Sequence, residues 1–387
     1  MNEQRGFWVV AATFLISMAF STVPTPLWPL YQATDGFSTV MIAVAFSAYA
    51  VGVLISLFLA GHLSDWVGRR RLLLPGVLTE ALAAALFIGW HSLALLIVAR
   101  VISGLGIGLI TATATAHLSE LGARAWPGST RTAYVATAAN LGGLGLGTLV
   151  SGTLAQYVRG PLTTVYAAFL VVLLLCALGI ALVPETVTQT ARPYRPQRVS
   201  VPRPARPRYL VVAAGAFTAF ALFGLFTSLA PKILATSLGE ASAAVSGLVS
   251  CVVFLFAVLA QVGLGRLGTD RQLTVGVGAL LAGFTVLLAG SVAGSLWLFL
   301  LAGALGGVGA GLLFKGAMGA AARMASPGAR GEAAAGIFLA AYLGLTLPIL
   351  GIGLATQVVS LATGLTVFCA VILVLLALVG TGLRRTA

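Results

Sequence analysis

The chain has 387 residues, of which 59% are hydrophobic and only 8% are charged, and its formal net charge is +13 at pH 7. A soluble globular domain carries about 25% charged residues, so this composition excludes an ordinary soluble protein and indicates a membrane protein. The positive charge would suit nucleic acid only if basic residues clustered on a soluble face, whereas here they occupy short segments between apolar runs.

Apolar runs long enough to cross a bilayer recur along the whole chain, since a spanning helix needs about 20 such residues. They predict an all-α membrane protein with twelve transmembrane helices. The first run follows a short polar lead without a clear cleavage site, so we expect an uncleaved first span. The predicted spans lie near residues 7–30, 38–60, 72–90, 93–117, 132–156, 162–183, 209–230, 242–264, 272–291, 296–322, 333–356 and 360–382.

Basic residues concentrate in alternate loops between the predicted spans. With the N-terminus in the cytoplasm, all but four of the 22 Lys and Arg residues fall on the cytoplasmic side. Arg100 and Lys315 lie within spans, and Arg159 and Lys232 lie in outer loops. The pattern predicts a multi-pass protein of the cytoplasmic (inner) membrane with both termini in the cytoplasm.

The first span carries three prolines near its outer end, at Pro24, Pro26 and Pro29. Proline lacks a backbone donor, so helical hydrogen bonding is interrupted there. The sequence leaves two interpretations open. The backbone is unwound there and lines protein or water, or the helix simply ends.

A short polar segment, GHLSDWVGRRR at residues 61–71, separates the second and third spans. Three consecutive arginines place it at the cytoplasmic surface, and an aspartate near the next helix start can accept hydrogen bonds from free N–H groups. The spacing G-x-L-S-D-x-x-G-R-R resembles the loop between helices 2 and 3 of the major facilitator superfamily of secondary transporters, with Trp66 where the family has Arg. The matching residues are Gly61, Asp65, Gly68, Arg69 and Arg70.

The resemblance implies a conformational gate at the cytoplasmic ends of the helices, in which Asp65 docks near Gly331 and Glu332 to hold the outward-facing state. At the inner ends of the fourth and tenth spans the order of charges is reversed between the halves of the chain. An acid precedes a base in the first half, and a base precedes an acid in the second. We expect salt bridges within or between the halves when the gate is shut. The residues concerned are Glu120, Arg131, Arg323 and Glu332.

Two ionisable residues lie inside neighbouring spans, Glu80 in the third and Arg100 in the fourth. Buried charges are costly in a bilayer and by default mark function. The segment from Arg100 to Gly106 resembles the family signature R-x-x-Q-G-x-G, with Ser103 in the Gln position; in proton-coupled members this Arg faces the central cavity and is implicated in coupling. A structural Arg100, paired with Glu80 or with helix carbonyls, is the alternative, and Glu80 is either a functional acid or only that partner.

The fifth span contains GLGLGTLVSG at residues 143–152, which resembles the antiporter signature G-x-x-x-G-P-x-x-G-G with Thr148 in place of Pro. The partial match places the chain closest in motifs to the drug:proton antiporter-like group. Asn140, one turn earlier, is either a polar group facing the cavity or a packing residue. Small residues let helices approach closely, and the predicted packing motif comprises Gly104, Gly143, Gly147 and Gly152.

A segment rich in Pro and Arg, residues 184–208, divides the chain into an N-terminal six-helix half, 1–183, and a C-terminal six-helix half, 209–387. We expect a disordered or extended cytoplasmic linker beside the anionic leaflet. Motifs recur between the halves at an offset of about 202 residues, which predicts two parallel repeats. Lys315 in the tenth span either binds an anionic substrate or extends its amine to the inner surface.

The sequence thus predicts a secondary active transporter of the major facilitator type that moves a small organic solute by alternating access. Proton-linked efflux of apolar or amphipathic compounds is the first interpretation, and uptake or exchange of an organic anion is the second. An intramembrane enzyme or a channel is disfavoured, because no nucleophile with a base is evident and the two halves repeat. We expect a monomer that uses the proton gradient, with no cofactor and no metal site.

Overall fold

The computed structural model describes residues 1–89, 92–190, 193–326 and 328–385. Within these ranges, twelve helical segments are long and apolar enough to cross a membrane. The predicted all-α fold with twelve spans is therefore confirmed. Trp90 at the predicted end of the third span and Arg192 in the predicted linker lie outside the described residues.

Most helices follow one another with short connections, and the long connection is the segment between Ala181 and Arg203. Irregular helical turns occur at Thr25–Leu27 and Arg203–Ala205, which are 3₁₀ turns, and at Ala138–Gly142, which is a π-helix. The α-helices are α1 (Glu3–Thr22), α2 (Trp28–Asp35), α3 (Thr39–Ala60), α4 (Ser64–Val67), α5 (Arg69–Gly89), α6 (Leu93–Ala125), α7 (Arg131–Thr137), α8 (Gly143–Tyr157), α9 (Pro161–Ala181), α10 (Arg206–Ser228), α11 (Ala230–Ser237), α12 (Ala243–Gly263), α13 (Thr269–Ala293), α14 (Leu296–Met324), α15 (Arg330–Ala355) and α16 (Leu361–Arg385).

The chain divides into two compact units. The first comprises Met1–Leu27 and Ala48–Gln197, and the second comprises Trp28–Ser47 and Arg198–Ala387. The boundary near residue 197 falls inside the predicted linker. Residues Trp28–Ser47, which follow the break after α1, belong to the second unit.

Short polar side chains fix where several helices begin. Asn2 accepts a hydrogen bond from the backbone N–H of Arg5 at 2.9 Å, and serines act in the same way at the starts of α6, α12 and α14. Each cap satisfies one of the N–H groups that the first turn leaves without a partner.

Glycines set the closest helix crossings in the first unit. A Cβ atom at Gly104 would overlap the carbonyl oxygen of Tyr49 where α6 crosses α3, and one at Gly147 would overlap the carbonyl oxygen of Ala19 where α8 crosses α1. Gly143 lies against Leu15 in the same α1–α8 contact, and Gly152 is buried one turn beyond. Backbones therefore touch directly, as is usual for small residues in membrane helices.

Three spans differ from their predicted form. The first breaks after Thr22, passes through a 3₁₀ turn and resumes as α2, so the prolines interrupt the helix without ending it. The fourth extends to Ala125, beyond the apolar run, because its last two turns are held by charged contacts. The fifth contains the π-helix Ala138–Gly142, which no period in the sequence had indicated.

The segment after α9 is extended but not free. The backbone N–H of Gln197 donates to the carbonyl of Phe58 at 2.8 Å, and that of Thr190 donates to the carbonyl of Trp66 at 3.2 Å. The Tyr194 hydroxyl donates to the carbonyl of Leu59 at 3.0 Å. These bonds attach the segment to the end of α3 and to the polar loop that follows it.

Candidate functional site

Glu80 and Arg100 both point into the interior of the first unit. Glu80 on α5 has no exposed surface, and Arg100 on α6 is 2% exposed. Glu80 Oε2 accepts a hydrogen bond from Ser103 Oγ at 3.1 Å, whereas Oε1 has no donor in hydrogen-bonding geometry among the described residues. The carboxyl lies against the backbone at Gly106, where a Cβ atom would approach Oε1 to 2.5 Å.

Arg100 links three neighbouring helices through different interactions. Its Nη1 donates to the carbonyl oxygen of Ser21 at 2.9 Å, and its guanidinium lies 4.5 Å from the ring centroid of Tyr49. Its charge also acts on the Glu80 carboxyl. The Ser21 carbonyl is available because α1 breaks at the following prolines, which leaves carbonyls of its last turn without helical donors.

The sequence left a functional and a structural role open for Arg100. Arg100 donates to a helix carbonyl, lies over an aromatic ring and interacts electrostatically with Glu80. It therefore has the partners expected of a structural arginine. A nearby cation favours the ionised form of a carboxyl, whereas burial favours the neutral form. The geometry is compatible with both roles at once.

Asn140 lies in the π-helix between α7 and α8 and is half-buried. Its amide makes no hydrogen bond to any described residue. Single π-helical turns occur frequently at functional sites, since they rotate side chains out of the regular helical register. A role for Asn140 toward a cavity stays a prediction.

Three of the predicted gate residues of the first half, Asp65, Arg69 and Glu120, form a compact charge cluster. Arg69 is 7% exposed, and its Nη1 donates to Asp65 Oδ1 at 2.6 Å and to Ser64 Oγ at 2.7 Å. Its Nη2 donates to Glu120 Oε1 at 2.8 Å, which ties the start of α5 to the C-terminal part of α6. The guanidinium group of Arg70 donates only to carbonyl oxygens at and just beyond the end of α9.

Glu185 completes this cluster, although sequence reasoning did not select it. Its two carboxylate oxygens accept hydrogen bonds from the backbone N–H groups of Arg69 at 2.8 Å and Arg70 at 3.1 Å, which caps the start of α5. Gly68 has φ 121°, and a Cβ atom there would press on the same carboxylate. A signal was present, because the chain has only nine acidic residues and this one directly follows the sixth span.

Glu120 and Arg323 each pair with a residue outside the four that the sequence singled out. Glu120 pairs with Arg69 and not with Arg131, whose guanidinium lies 5.4 Å from the ring centroid of Trp126. Arg323 pairs with Asp270 at 3.0 Å. Glu332 makes no ion pair within the described part of the chain.

The second unit therefore repeats the cluster with the charges exchanged. In the first unit the cation is on α5 and the anion on α6, and in the second the anion Asp270 is on α13 and the cation Arg323 is on α14. Gln272, near the start of α13, donates to the carbonyl of Leu267 at 2.9 Å. Gly61 and its counterpart Gly265 each end the preceding span.

Lys315 on α14 is half-buried and contacts the backbone of α12. Its Nζ donates to the carbonyl oxygen of Gln261 at 2.8 Å, close to the end of α12. A cation there satisfies a terminal carbonyl and interacts favourably with the helix dipole. The amide of Gln261 in turn donates to the carbonyl of Gly311 at 3.0 Å, so the residue joins α12 to α14.

Residues 9–229 match the family model described as Major Facilitator Superfamily. The chain belongs to the Major Facilitator Superfamily. The family predicted from the polar loop is thereby confirmed, and this superfamily consists of membrane transporters. Among the described residues, no three His, Cys, Asp or Glu side chains are grouped so that they could hold a metal ion.

Curated relatives in the superfamily match short segments only. The arabinose-proton symporter of Bacillus subtilis is 31% identical over 97 residues, which are 25% of this chain and 21% of the symporter. The multidrug resistance protein MdtL of Shewanella oneidensis is 34% identical over 93 residues, which are 24% of each protein. The alignments thus span about a quarter or less of these relatives.

Solved structures share the fold over nearly the whole chain. The human organic anion transporter MFSD10 (TETRAN) superposes with a TM-score of 0.70 at 18% identity, covering 98% of this chain and 100% of that one. The POT family transporter PepTSo gives a TM-score of 0.77 at 13% identity, covering 98% of both chains. At such identities the likeness establishes the superfamily fold alone.

Proposed function

We propose that this protein is a secondary active transporter that exports apolar or amphipathic compounds across the cytoplasmic membrane by alternating access, coupled to proton movement. The observation that carries the proposal is the fully buried Glu80 carboxyl beside the fixed charge of Arg100. Burying an ionisable group in a membrane-spanning helix is costly, so such a group is by default a candidate for function. No other acidic side chain is fully buried in the described part of the chain.

In this proposal, Glu80 alternates between a neutral and an ionised form. The Arg100 guanidinium balances the ionised carboxylate while it also holds the Ser21 carbonyl at the broken end of α1. When Glu80 takes up a proton, Arg100 loses its counter-charge and its hold on α1 changes. Because α1 is interrupted immediately after this contact, the first span can bend there in response.

The apolar character of the spans supports an apolar or amphipathic solute. Few polar groups are free to bind a hydrophilic solute, and Asn140 is the candidate for a single orienting hydrogen bond. The multidrug resistance protein MdtL is named as such among the relatives, and the GLGLGTLVSG segment resembles the antiporter signature. Both considerations favour drug-like compounds or metabolites.

The test is transport of ethidium in proteoliposomes under an imposed pH gradient, with an entrapped pH dye to follow protons. We expect the gradient to drive ethidium movement, Arg100→Ala to abolish coupled flux, and Glu80→Gln to make any remaining flux independent of the gradient. Arg159→Ala, an exposed arginine in the same unit, is the matched control and should retain coupling. Full coupled activity in Arg100→Ala would remove this residue from the mechanism.

Uptake or exchange of an organic anion is the second candidate. It is favoured by the two basic residues against one acid in the spans, and by the resemblance in fold to the human organic anion transporter MFSD10. The amine of Lys315 is engaged with a helix carbonyl, which leaves Arg100 as the anion-binding group. Fluorescein counterflow without a pH gradient, absent in Arg100→Ala, would support this candidate over proton-linked efflux.

A further inference from the structure

A groove in the second unit runs along α13 and α16 to the start of α10. It encloses about 490 Å³. Its floor is apolar, since Leu273, Val277 and Leu376 are buried beneath it. A Cβ atom built at Gly278 would meet no atom within 4 Å, so no side chain of this unit fills the groove at that point.

One end of the groove carries an excess of positive charge. Arg208, Asp270 and Arg384 line it there. Asp270 is already shared by Arg208 at 2.7 Å and Arg323 at 3.0 Å, so one carboxylate faces two guanidinium groups. Arg384 is exposed and makes no ion pair or hydrogen bond with the residues that the structure describes.

We propose that this groove binds an anionic phospholipid of the cytoplasmic leaflet. Its phosphate would contact Arg384 and Arg208, and an acyl chain would lie along Val277 and Gly278. The combination of a cationic end and an apolar channel matches a molecule with an anionic head and a hydrocarbon tail. Basic pockets between helices on the cytoplasmic side commonly bind such headgroups, and the arginine distribution assigns this end to that side.

This groove is separate from the Glu80–Arg100 pair, so lipid binding there does not depend on the transported solute. A lipid in the groove would contact α10, α13 and α16 together. It would also compete with Asp270 for Arg208, next to the charge-exchanged cluster at the inner end of α14. Binding only to the folded state raises stability with lipid concentration.

The test is native mass spectrometry of the detergent-purified full chain with phosphatidylglycerol or phosphatidylcholine of identical acyl chains. We expect phosphatidylglycerol to be retained preferentially. Arg384→Gln should weaken its binding about fivefold, the effect of one basic residue near an anionic membrane. The adjacent, exposed Arg385→Gln does not line the groove and should leave binding unchanged.

A second pair of variants examines the apolar part. Gly278→Leu fills the groove and should reduce retention of both lipids, whereas Gly351→Leu, equally exposed and equally free of neighbours, should not. Equal binding of the two lipids, or equal effects of the Arg384 and Arg385 variants, would overturn the proposal. Displacement of phosphatidylglycerol by free glycerol phosphate would assign the site to a soluble anion and would also overturn it.

Discussion

Buried ionisable side chains in this protein are held by polar atoms on neighbouring helices. Arg100 has a carbonyl, an aromatic ring and the field of Glu80, and Glu80 has the Ser103 hydroxyl. Such partners offset the free-energy cost of moving a charge out of water only while both members of the charged pair are present. The consequences can be measured as unfolding free energies.

Removing Arg100 alone should therefore cost more than removing the pair. We expect Arg100→Met to lower the free energy of unfolding by about 3 kcal/mol, because the Glu80 carboxyl is left buried without a counter-charge. The double variant Glu80→Gln, Arg100→Met should regain part of that loss. Chemical unfolding in detergent measures all three variants, and strictly additive losses would show that the two residues do not interact.

Arg69 differs from the neighbouring Arg71 in the same run of three arginines. Arg69 is buried between Ser64, Asp65 and Glu120, whereas Arg71 is exposed and has no ion pair with any described residue. We expect Arg69→Gln to reduce the free energy of unfolding by about 2–3 kcal/mol and Arg71→Gln by no more than about 0.5 kcal/mol. Similar melting temperatures for the two variants would contradict the observed cluster.

At the scale of helices, glycine decides which spans touch. Backbones of α1 and α8 approach so closely that Gly143 and Gly147 face carbonyl oxygens directly. Polar bonds reinforce this contact, since Thr22 Oγ1 donates to the Leu144 carbonyl at 2.7 Å and Ser151 Oγ donates to the Val23 carbonyl at 2.7 Å. The helix pair is consequently sensitive to the addition of even one methyl group.

Two glycines of the fifth span provide a matched comparison. Gly147→Ala places a methyl group on the Ala19 carbonyl, which cannot move away as a side chain can, so we expect a loss of about 1–3 kcal/mol. Gly142→Ala meets no atom within 4 Å and should be neutral or stabilising by up to about 1 kcal/mol. Thermal unfolding in detergent distinguishes them, and a neutral Gly147→Ala would refute the close crossing.

At the scale of the whole molecule, the basic loops predict the orientation of the chain in the membrane. Exposed Arg71 and Arg195 belong to segments placed in the cytoplasm, and exposed Arg159 belongs to a segment placed outside. The bonds between the segment after α9 and the loop after α3 are consistent with a common side for the first two.

Cysteine labelling can check this orientation. In a background without Cys176, Cys251 and Cys369, we expect Arg71→Cys and Arg195→Cys to react with an impermeant maleimide only after the membrane is opened. Arg159→Cys should react in intact cells. Labelling of Arg71→Cys and Arg195→Cys from opposite sides of the bilayer would overturn both the topology and the division of the chain into halves.

The sequence by itself determined the twelve spans, the superfamily and the positions of the intramembrane charges. These features follow from local properties: spanning length, loop charge, and the spacing of Gly, Asp and Arg in one polar loop. Glu80 and Arg100 could be named because any charge in an apolar run is conspicuous.

Only the tertiary structure decided the partners of these residues. Glu120 binds Arg69, Lys315 binds a helix carbonyl, and Glu185 reaches the start of α5 from a position more than 100 residues away in the chain. The π-helix at Asn140 likewise has no periodic signal. Sequence spacing fixes which groups must leave water, but the helix crossings, set by contacts between distant glycines, fix which groups they then meet.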